Sequence, residues 1–196
     1  MITLTFRYDP RPDQIDFSIP MRKLSVEEMG RLGPEEYQTV PKRPLVVVLD
    51  NVRSMHNVGS VFRSADAFRL EKIYLCGITP TPPHREIRKT AIGAESTVEW
   101  EHRSDISELL TELISQGYEV LAIEQATPST NLVDFSVKGD QKYAVILGHE
   151  INGVSEEAMA LASRALEIPQ YGTKHSLNVS VTAGIVFYQL SKQLGL

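Results

Sequence analysis

A loop-and-helix segment near the C-terminus, IPQYGTKHSLNVSVTAG at residues 168–184, presents the polar side chains best placed to do chemistry. Ser176 stands where a helix N-cap is expected, because a serine hydroxyl can accept from the free backbone N–H groups of a first helical turn. Asn178 is then predicted to lie in that turn, beside the same donors. The small and β-branched residues that follow are mediocre helix formers, which favours a helix kept for close packing. The segment suits a ligand site, although plain helix capping and packing on a sheet explain it as well.

Two further polar loops each follow a short apolar run that is typical of a buried strand. The first, DNVRSMHNVGSVFRSADAF, follows LVVVL; in it Asn57 could cap the next helix, and Arg63 falls on the polar flank of that helix. The second, GHEINGVS, follows YAVIL, and its Gly148 could let a ligand approach the backbone beside Glu150. Neither loop has the glycine spacing of a phosphate-binding or dinucleotide-binding motif. Taken singly, Arg63 could equally be an ordinary surface arginine, and Glu150 a structural carboxylate.

Apolar runs alternate with amphipathic stretches from Leu45 onward, and this alternation predicts the elements that position the three loops. Strands are predicted at 45–49, 72–76, 97–100, 118–124, 143–147 and 165–168, and helices at 57–68, 84–91, 105–116, 156–161 and 176–193. Before them, Ser25 and Glu28 resemble a capping box that would begin a short helix at 25–31, and a second helix is predicted at 34–38. The pattern indicates an α/β fold with a mostly parallel sheet and helices on both faces. Ligands bind such sheets beyond the carboxyl ends of the strands, so the three loops should form one composite site.

Composition indicates one soluble domain, since 196 residues can bury a core without disulfides or metal. Cys76 is the only cysteine, which excludes an internal disulfide and a multi-cysteine zinc site and favours a reducing compartment, hence the cytoplasm. We expect neither a signal peptide nor a membrane span, because no apolar run approaches the ~20 residues that a bilayer requires. The net charge of −5 argues against non-specific coating of nucleic acid but leaves room for a local basic patch.

Taken together and in this order, NVGSVFRSA, LGHEINGVS and IPQYGTKHSLNVSVTAG resemble the three signature motifs of the SpoU/TrmH family of RNA ribose methyltransferases. The resemblance covers about residues 44–194. It implies a parallel α/β domain whose C-terminal part forms a deep trefoil knot, with S-adenosylmethionine bound in the knot. It also implies a homodimer in which the active site is completed across the interface. Residues 44–196 are therefore expected to be a methyltransferase domain, and residues 1–43 an N-terminal extension of unknown role.

The resemblance also implies roles for individual residues. The catalytic positions of the family match Asn57, Arg63, Glu150, Ser176 and Asn178. The positions that hold the cofactor, largely through their backbone, match Gln125, Ala126, Gly148, Ile168, Gln170 and Leu177, and Gln170 stands where many relatives have Met. Because a guanidinium stays protonated in proteins, Arg63 is expected to grip the phosphate beside the target ribose, with Asn57 and Glu150 orienting it. No metal is expected in the reaction.

The substrate expected from the resemblance is structured RNA, with tRNA slightly preferred over rRNA. Several relatives carry a separate RNA-binding domain before the catalytic one, whereas about 43 non-basic residues stand there in this chain. RNA contact is therefore expected from the catalytic domain, through Arg53, Arg85, Arg88 and Lys89. Two alternatives remain: methylation of a base, and a catalytically silent RNA-binding or assembly factor on the same fold. The SLN motif and Arg63 favour ribose as the target, and the intact catalytic positions favour an enzyme.

Overall fold

The structure is a computed structural model, and it describes residues 20–25 and 27–195. The chain divides into two compact units, Met1–Gly33 and Pro34–Leu196. In the first unit, the predicted capping box is present: the Ser25 N–H donates to Glu28 Oε2 over 2.8 Å, and the Glu28 N–H donates to Ser25 Oγ over 3.3 Å. It closes a turn at residues 27–30. The longer helix predicted at 25–31 is therefore wrong for the residues that are described.

The second unit alternates strands and helices. In chain order it contains α1 (Pro34–Thr39), β1 (Arg43–Asp50), α2 (Met55–Ala67), β2 (Leu70–Cys76), α3 (Arg85–Ala91), a 3₁₀ turn (Ala94–Ser96), β3 (Trp100–Arg103), α4 (Ile106–Ser115), β4 (Tyr118–Ile123), β5 (Thr130–Asn131), β6 (Lys142–Leu147), α5 (Glu156–Leu161), β7 (Arg164–Glu167) and α6 (Val179–Leu194). The strands form one sheet in the order β3-β2-β1-β6-β4-β7-β5, and every neighbouring pair is parallel. The predicted α/β fold with a parallel sheet is confirmed.

Helices cover both faces of the sheet. This agrees with β1, which is apolar at every position from Leu45 to Leu49. Val46 and Val48 belong to a buried cluster with leucines of α4 and with Ala158 of α5. Successive side chains of a strand point to opposite faces, so the alternate residues of β1 face the other side, where α6 packs on β1 and α2 packs on α6. Phe62 of α2 and Phe187 of α6 are fully buried there. The first polar loop leads into α2 and the third leads into α6, so this packed helix pair positions both loops.

Helix caps differ from the prediction in two places. Ser54 caps α2, since its side chain accepts from the N–H of Asn57, and Asn178 caps α6 by accepting from the N–H of Ser180. The predicted caps at Asn57 and Ser176 are therefore wrong, and so is the placement of Asn178 inside the first turn. Several Ser and Asn residues stand within one turn of each helix start, and any of them could cap. The cap predicted at Ser155, in contrast, is confirmed.

The strand predicted at 97–100 lies instead at Trp100–Arg103, because the 3₁₀ turn takes up the residues before it. The two-residue strand β5 was not predicted, since so short a pairing leaves no periodic signal. Within the residues that the structure describes, no helix has both the length and the apolar character to cross a bilayer.

Candidate active site

The predicted site loops leave the carboxyl ends of β1, β6, β4 and β7, which are consecutive in the sheet. Because parallel strands end at the same edge, the loops meet there. Side chains connect the loops: Asn57, in the first turn of α2, contacts both Glu150 in the second loop and Asn178 in the third. The structure thus brings three of the five predicted catalytic residues into one hydrogen-bonded group.

These three side chains form a hydrogen-bonded chain with one direction. Asn178 Nδ2 donates to Asn57 Oδ1 over 3.1 Å, and Asn57 Nδ2 donates to Glu150 Oε1 over 3.1 Å. At one end, Asn178 Oδ1 accepts from the backbone N–H of Ser180 over 2.9 Å and from its hydroxyl over 2.7 Å. At the other end, a carboxylate can only accept. A backbone donor and a carboxylate therefore fix the orientation of both amides, and each amide keeps one further N–H for a ligand.

Glu150 holds the first loop through its backbone. Its two oxygens accept from the N–H groups of Arg53 over 3.0 Å and Ser54 over 2.9 Å, in addition to Asn57. Burial alone would raise the pKa of Glu150, but these hydrogen bonds to the charged form outweigh it, so the pKa lies below its ordinary value of 4.5. Glu150 is therefore charged at neutral pH and is a weak proton acceptor. Its structural role is to link the second loop to the first by hydrogen bonds.

The second loop is a tight hairpin from His149 to Gly153, closed by two backbone hydrogen bonds of 2.9 Å. His149 Nδ1 accepts from the N–H groups of Ile151 over 3.0 Å and Asn152 over 3.2 Å, so its ring serves the hairpin. A Cβ on Gly148 would lie 2.1 Å from the carbonyl carbon of Gly153. The interpretation that Gly148 leaves room for a ligand is therefore wrong on that side of the residue, because the returning hairpin fills the space.

The residues predicted to hold a cofactor line the loops after β4, β6 and β7. Gln125 Nε2 donates to the backbone oxygen of His175 over 2.6 Å, which ties the β4 loop to the loop before α6. In the part of the chain that the structure describes, the backbone N–H and C=O groups of Ile168, Gln170 and Leu177 make no hydrogen bond. Backbone groups without a protein partner can form hydrogen bonds with an adenine and a ribose. The surroundings therefore fit the expected cofactor.

Arg63 and Ser176 lie outside the hydrogen-bonded group. Ser176 is exposed, and within the described residues its side chain has no partner. Arg63 is exposed on the outer face of α2 and makes no hydrogen bond or ion pair with any described residue. The expected contacts of Arg63 with Asn57 and Glu150 are absent within the single chain, since these two side chains are engaged with each other and with the loop.

The predicted RNA-binding residues surround the start of α2 and lie along α3. The side chains of Arg53 and Arg85 are exposed and have no partner among the described residues. Lys89 pairs with Glu86 over 2.7 Å, and Arg88 Nε lies 3.9 Å from Glu95. Half of this basic set is thus available to a polyanion without breaking an ion pair.

Two acidic residues of the site were missed. Asp50 is buried at the end of β1 and accepts from the Ser155 N–H over 2.7 Å. Glu124 follows β4 and accepts from the N–H groups of Gln125 over 2.9 Å and Val154 over 3.0 Å. With Glu150, each carboxylate joins its own loop to the backbone of a neighbouring loop. The signal in the sequence was an acidic residue directly after an apolar strand, where solvent or a neighbouring loop must satisfy it.

Other candidate chemistry is limited. Cys76 is buried, and burial, with a contribution from the charge of Asp50, raises the pKa of its thiol to about 12, so it stays protonated. Among the described residues, no group of three His, Cys, Asp or Glu side chains is arranged to hold a metal ion.

Comparison with protein families identifies one match, to the model described as the SpoU rRNA Methylase family, over residues 44–188. The matched range begins in β1 and ends in α6, so it includes all the site loops described above.

Two curated relatives carry the same name. The chain is 32% identical over 168 residues to the tRNA (guanosine(18)-2'-O)-methyltransferase of Thermus thermophilus, covering 85% of this chain and 84% of the relative. It is 31% identical over 150 residues to the enzyme of that name from Escherichia coli, covering 76% of this chain. The match spans only 63% of the Escherichia coli protein's length.

A solved structure shares the fold. The AdoMet-bound rRNA methyltransferase from Sinorhizobium meliloti superposes with a TM-score of 0.73 at 24% identity, covering 83% of this chain and 60% of that one. At this identity the likeness supports the fold alone.

Proposed function

The chain belongs to the SpoU rRNA Methylase family, and we propose that it transfers a methyl group from S-adenosylmethionine to a ribose 2'-hydroxyl of RNA. The observation that carries the proposal is the chain of hydrogen bonds from Asn178 through Asn57 to Glu150, which joins the three motif loops at one edge of the sheet. Both curated relatives reported above are named as tRNA guanosine 2'-O-methyltransferases. We therefore propose tRNA ahead of rRNA as the substrate. As the location we propose the cytoplasm.

The free backbone groups of Ile168, Gln170 and Leu177, with Gln125, Ala126 and Gly148 beside them, would hold the cofactor. When bound, S-adenosylmethionine supplies a methyl group on a positively charged sulfur, and no metal is needed for its transfer. Transfer would require the ribose 2'-oxygen to be held in line with the carbon–sulfur bond, and its proton would pass to solvent. The two amides can donate N–H groups to a ligand but neither is a base, and Glu150 is a weak base. We infer that orientation of the ribose, more than proton abstraction by a strong base, accelerates transfer.

Arg63 would act from the second subunit of a homodimer. The α6 helix presents an apolar stripe to solvent, in which Val181, Ile185 and Tyr188 are 50%, 39% and 59% exposed. Exposed apolar patches of this kind mark interaction sites, and a second copy would bury this one.

The α6 and α2 helices run side by side, with Asn57 against Asn178 at their starts and Phe68, after the end of α2, against Tyr188 in the second half of α6. Arg63 is exposed on α2, the helix beside α6, and a partner that sits on the stripe and extends over α2 would receive it. In this arrangement, Arg63 of one subunit grips the phosphate of RNA held in the other subunit's site, and Ser176 faces the same ribose. This accounts for an arginine without a partner among the described residues of the isolated chain.

RNA would lie across the start of α2 and along α3. Arg53 and Arg85 are free to bind phosphates, and Arg88 and Lys89 would add charge once RNA displaces their weaker ion pairs. We propose residues 44–196 as the methyltransferase domain and residues 1–43 as an N-terminal extension of unknown role.

The deep trefoil knot of the family is proposed for the C-terminal part of this chain. After β7, near one edge of the sheet, the chain returns across the carboxyl ends to place α6 beside β1 and α2. That return path passes the loops after β4 and β6, which is the crossing that a threaded chain requires.

Mass spectrometry of nucleosides from cellular RNA, with and without the gene, tests the proposed function. We expect one 2'-O-methylated nucleoside to be lost from the tRNA fraction and restored by the wild-type gene but not by a gene carrying Arg63→Ala. Loss of a base-methylated nucleoside would instead support the base-methylating alternative. No change in any methylated nucleoside, in RNA from cells shown to express the protein, would favour the silent RNA-binding factor.

A further inference from the structure

Glu124 occupies the junction of the loops proposed to hold the cofactor, and it lies outside the three sequence motifs. It directly follows β4, and its carboxylate divides between two loops. Oε1 accepts from the N–H of Gln125 over 2.9 Å, within its own loop. Oε2 accepts from the N–H of Val154 over 3.0 Å, at the end of the hairpin that follows β6.

The hairpin is shaped around this carboxylate. Gly153 has a φ of +70°, and a Cβ built there would lie 2.2 Å from Glu124 Oε2. A Cβ on Gly148 would in turn meet Gly153. The two glycines therefore allow the hairpin to fold down until the backbone at Val154 reaches Glu124. Any larger residue at either position would hold the loops apart.

The third loop is connected through the neighbouring residue. Glu124 holds the backbone of Gln125, and the side chain of Gln125 donates to the backbone oxygen of His175 over 2.6 Å. His175 lies between Gln170 and Leu177 in the chain, in the loop whose backbone groups are free to bind a ligand. One carboxylate thus joins the loops after β4 and β6 directly, and the neighbouring Gln125 extends the connection to the loop after β7.

We propose that Glu124 is a positioning residue for cofactor binding: it holds the three loops at the separation that S-adenosylmethionine requires. The inference rests on the proposed function, because it names the cofactor of that site. Glu124 touches the loops and not the reacting atoms, so its effect falls on the affinity for cofactor and on the KM for cofactor. The rate at saturating cofactor should change little.

Glu124→Gln tests the proposal, because an amide can accept one of the two N–H groups but turns a donor toward the other. We expect the Kd for S-adenosylmethionine, measured by calorimetry, to rise roughly tenfold, the order expected for one lost hydrogen bond to a charged acceptor. The KM for cofactor should rise by a similar factor and kcat should stay within about twofold. Gly153→Ala, which pushes on the same carboxylate, should also weaken binding.

The matched control is Glu119→Gln on the same strand. Glu119 is similarly enclosed and pairs with Arg164 over 3.0 Å, away from the loops. Glu119→Gln should lower the thermal midpoint of the protein without changing the Kd for S-adenosylmethionine. If Glu124→Gln binds cofactor as tightly as the wild type, or if Glu119→Gln weakens binding equally, the inference is overturned. Wild-type protein that binds no S-adenosylmethionine would instead count against the proposed function.

Hydrogen exchange of the wild-type protein provides a second readout that needs no variant. The amides of Gln125 and Val154 should exchange slowly in the free protein and more slowly with cofactor bound. Fast exchange of both amides in the cofactor-bound protein would show that the carboxylate does not hold the loops, and would contradict the proposal.

Discussion

At the level of single residues, the direction of the hydrogen bonds decides what the site can do. The Ser180 N–H at one end and the Glu150 carboxylate at the other leave Asn57 and Asn178 only one arrangement of their amides. Each then offers a ligand one N–H donor, and Asn57 Oδ1 keeps a second lone pair that can accept. The two asparagines can orient an oxygen of the substrate but cannot take its proton.

Asn178→Asp tests this direction. The change replaces the donor that faces Asn57 Oδ1 with a carboxylate oxygen, so two acceptors meet at 3.1 Å. We expect transfer to slow by roughly 10- to 100-fold, corresponding to one broken and one repulsive hydrogen bond. Cofactor affinity should change little. Methyl transfer with labelled cofactor and calorimetry are the two measurements.

The control for that variant is Asn131→Asp. The side-chain oxygen of Asn131 accepts from the Val133 N–H over 3.1 Å, and an aspartate preserves that bond. Transfer by this protein should equal that of the wild type. Wild-type transfer by Asn178→Asp as well would show that the amide chain has no part in catalysis.

Glu150 should make stability depend on acid pH. Its folded pKa is lowered, so its contribution to the free energy of unfolding is present above its ordinary value of 4.5 and is lost as pH falls through the folded pKa. Glu150→Gln removes the titration. The difference in urea midpoint between wild type and variant should be clear at about pH 7 and shrink as the pH falls below 4.5. A difference that is constant over this range would contradict the role given to the hydrogen-bonded carboxylate.

The residue types of the site could be predicted from the sequence, but their partners could not. Asn57, Glu150 and Asn178 stood out because each lies in a polar loop after an apolar run. Their contacts depend on which strands are neighbours, and local pattern does not contain that information. The misplaced caps have a local cause, because serine and asparagine are good caps at several adjacent positions.

At the level of helices and strands, α2 is held between α6 and α3, and its contact with α3 requires a glycine. A Cβ on Gly59 would lie 2.2 Å from the backbone oxygen of Ile87 and 2.2 Å from Thr90 Oγ1. The first of these is backbone of α3, which cannot move aside alone. The position of Asn57, two residues earlier, depends on this packing.

Gly59→Ala should therefore destabilise the protein. Helix propensity favours alanine by about 1 kcal/mol, but overpacking against α3 typically costs about 1–3 kcal/mol, and the close approach to backbone favours the upper end. We expect a lower thermal midpoint. Ser60→Ala, at the next position and partly exposed, should shift the midpoint much less. A rise in midpoint for Gly59→Ala would contradict the packing of these helices.

The long apolar runs predicted their strands to within two or three residues, because burial on both faces leaves a continuous signal. The weakly apolar edge strand β3 was placed three residues early, and β5 was missed. Both lie at the edges of the sheet, where fewer side chains are buried and the pattern is faint.

For the molecule as a whole, the proposed homodimer predicts that the site is complete only with a second subunit. The apolar stripe on α6 should be the contact, so Tyr188→Glu should convert a dimer into a monomer in sedimentation experiments. Ile114→Glu is the control, since Ile114 is 43% exposed but lies on α4, which packs on the opposite face of the sheet. It should leave the dimer intact. A wild-type monomer at micromolar concentration would contradict the shared site.

Mixing two impaired variants tests which chain supplies Arg63. If Arg63 of one subunit serves the site that contains Asn178 of the other, co-expressed Arg63→Ala and Asn178→Asp chains form some dimers with one intact site. Random assembly should restore about a quarter of wild-type activity in a symmetric dimer. No restoration, with mixed dimers demonstrated by mass, would place both residues of a site in one chain.

The strand order is a property of the whole molecule that alternation of strands and helices could not predict. Strand β6 inserts between β1 and β4, and the chain must cross the sheet edge to do so. Alternating patterns are compatible with many such orders, and deep knots are too rare to be expected on physical grounds. The proposed knot is expected from the motif resemblance alone.

Methyl transfer by the purified protein is the decisive experiment. Unmodified tRNA is incubated with methyl-labelled S-adenosylmethionine and digested to nucleosides, which are identified by mass spectrometry. We predict that the label appears on a 2'-O-methylated ribose and that Arg63→Ala lowers it to background while cofactor still binds. Label found on a base, or no label with protein that is dimeric and cofactor-bound, would refute transfer to the ribose.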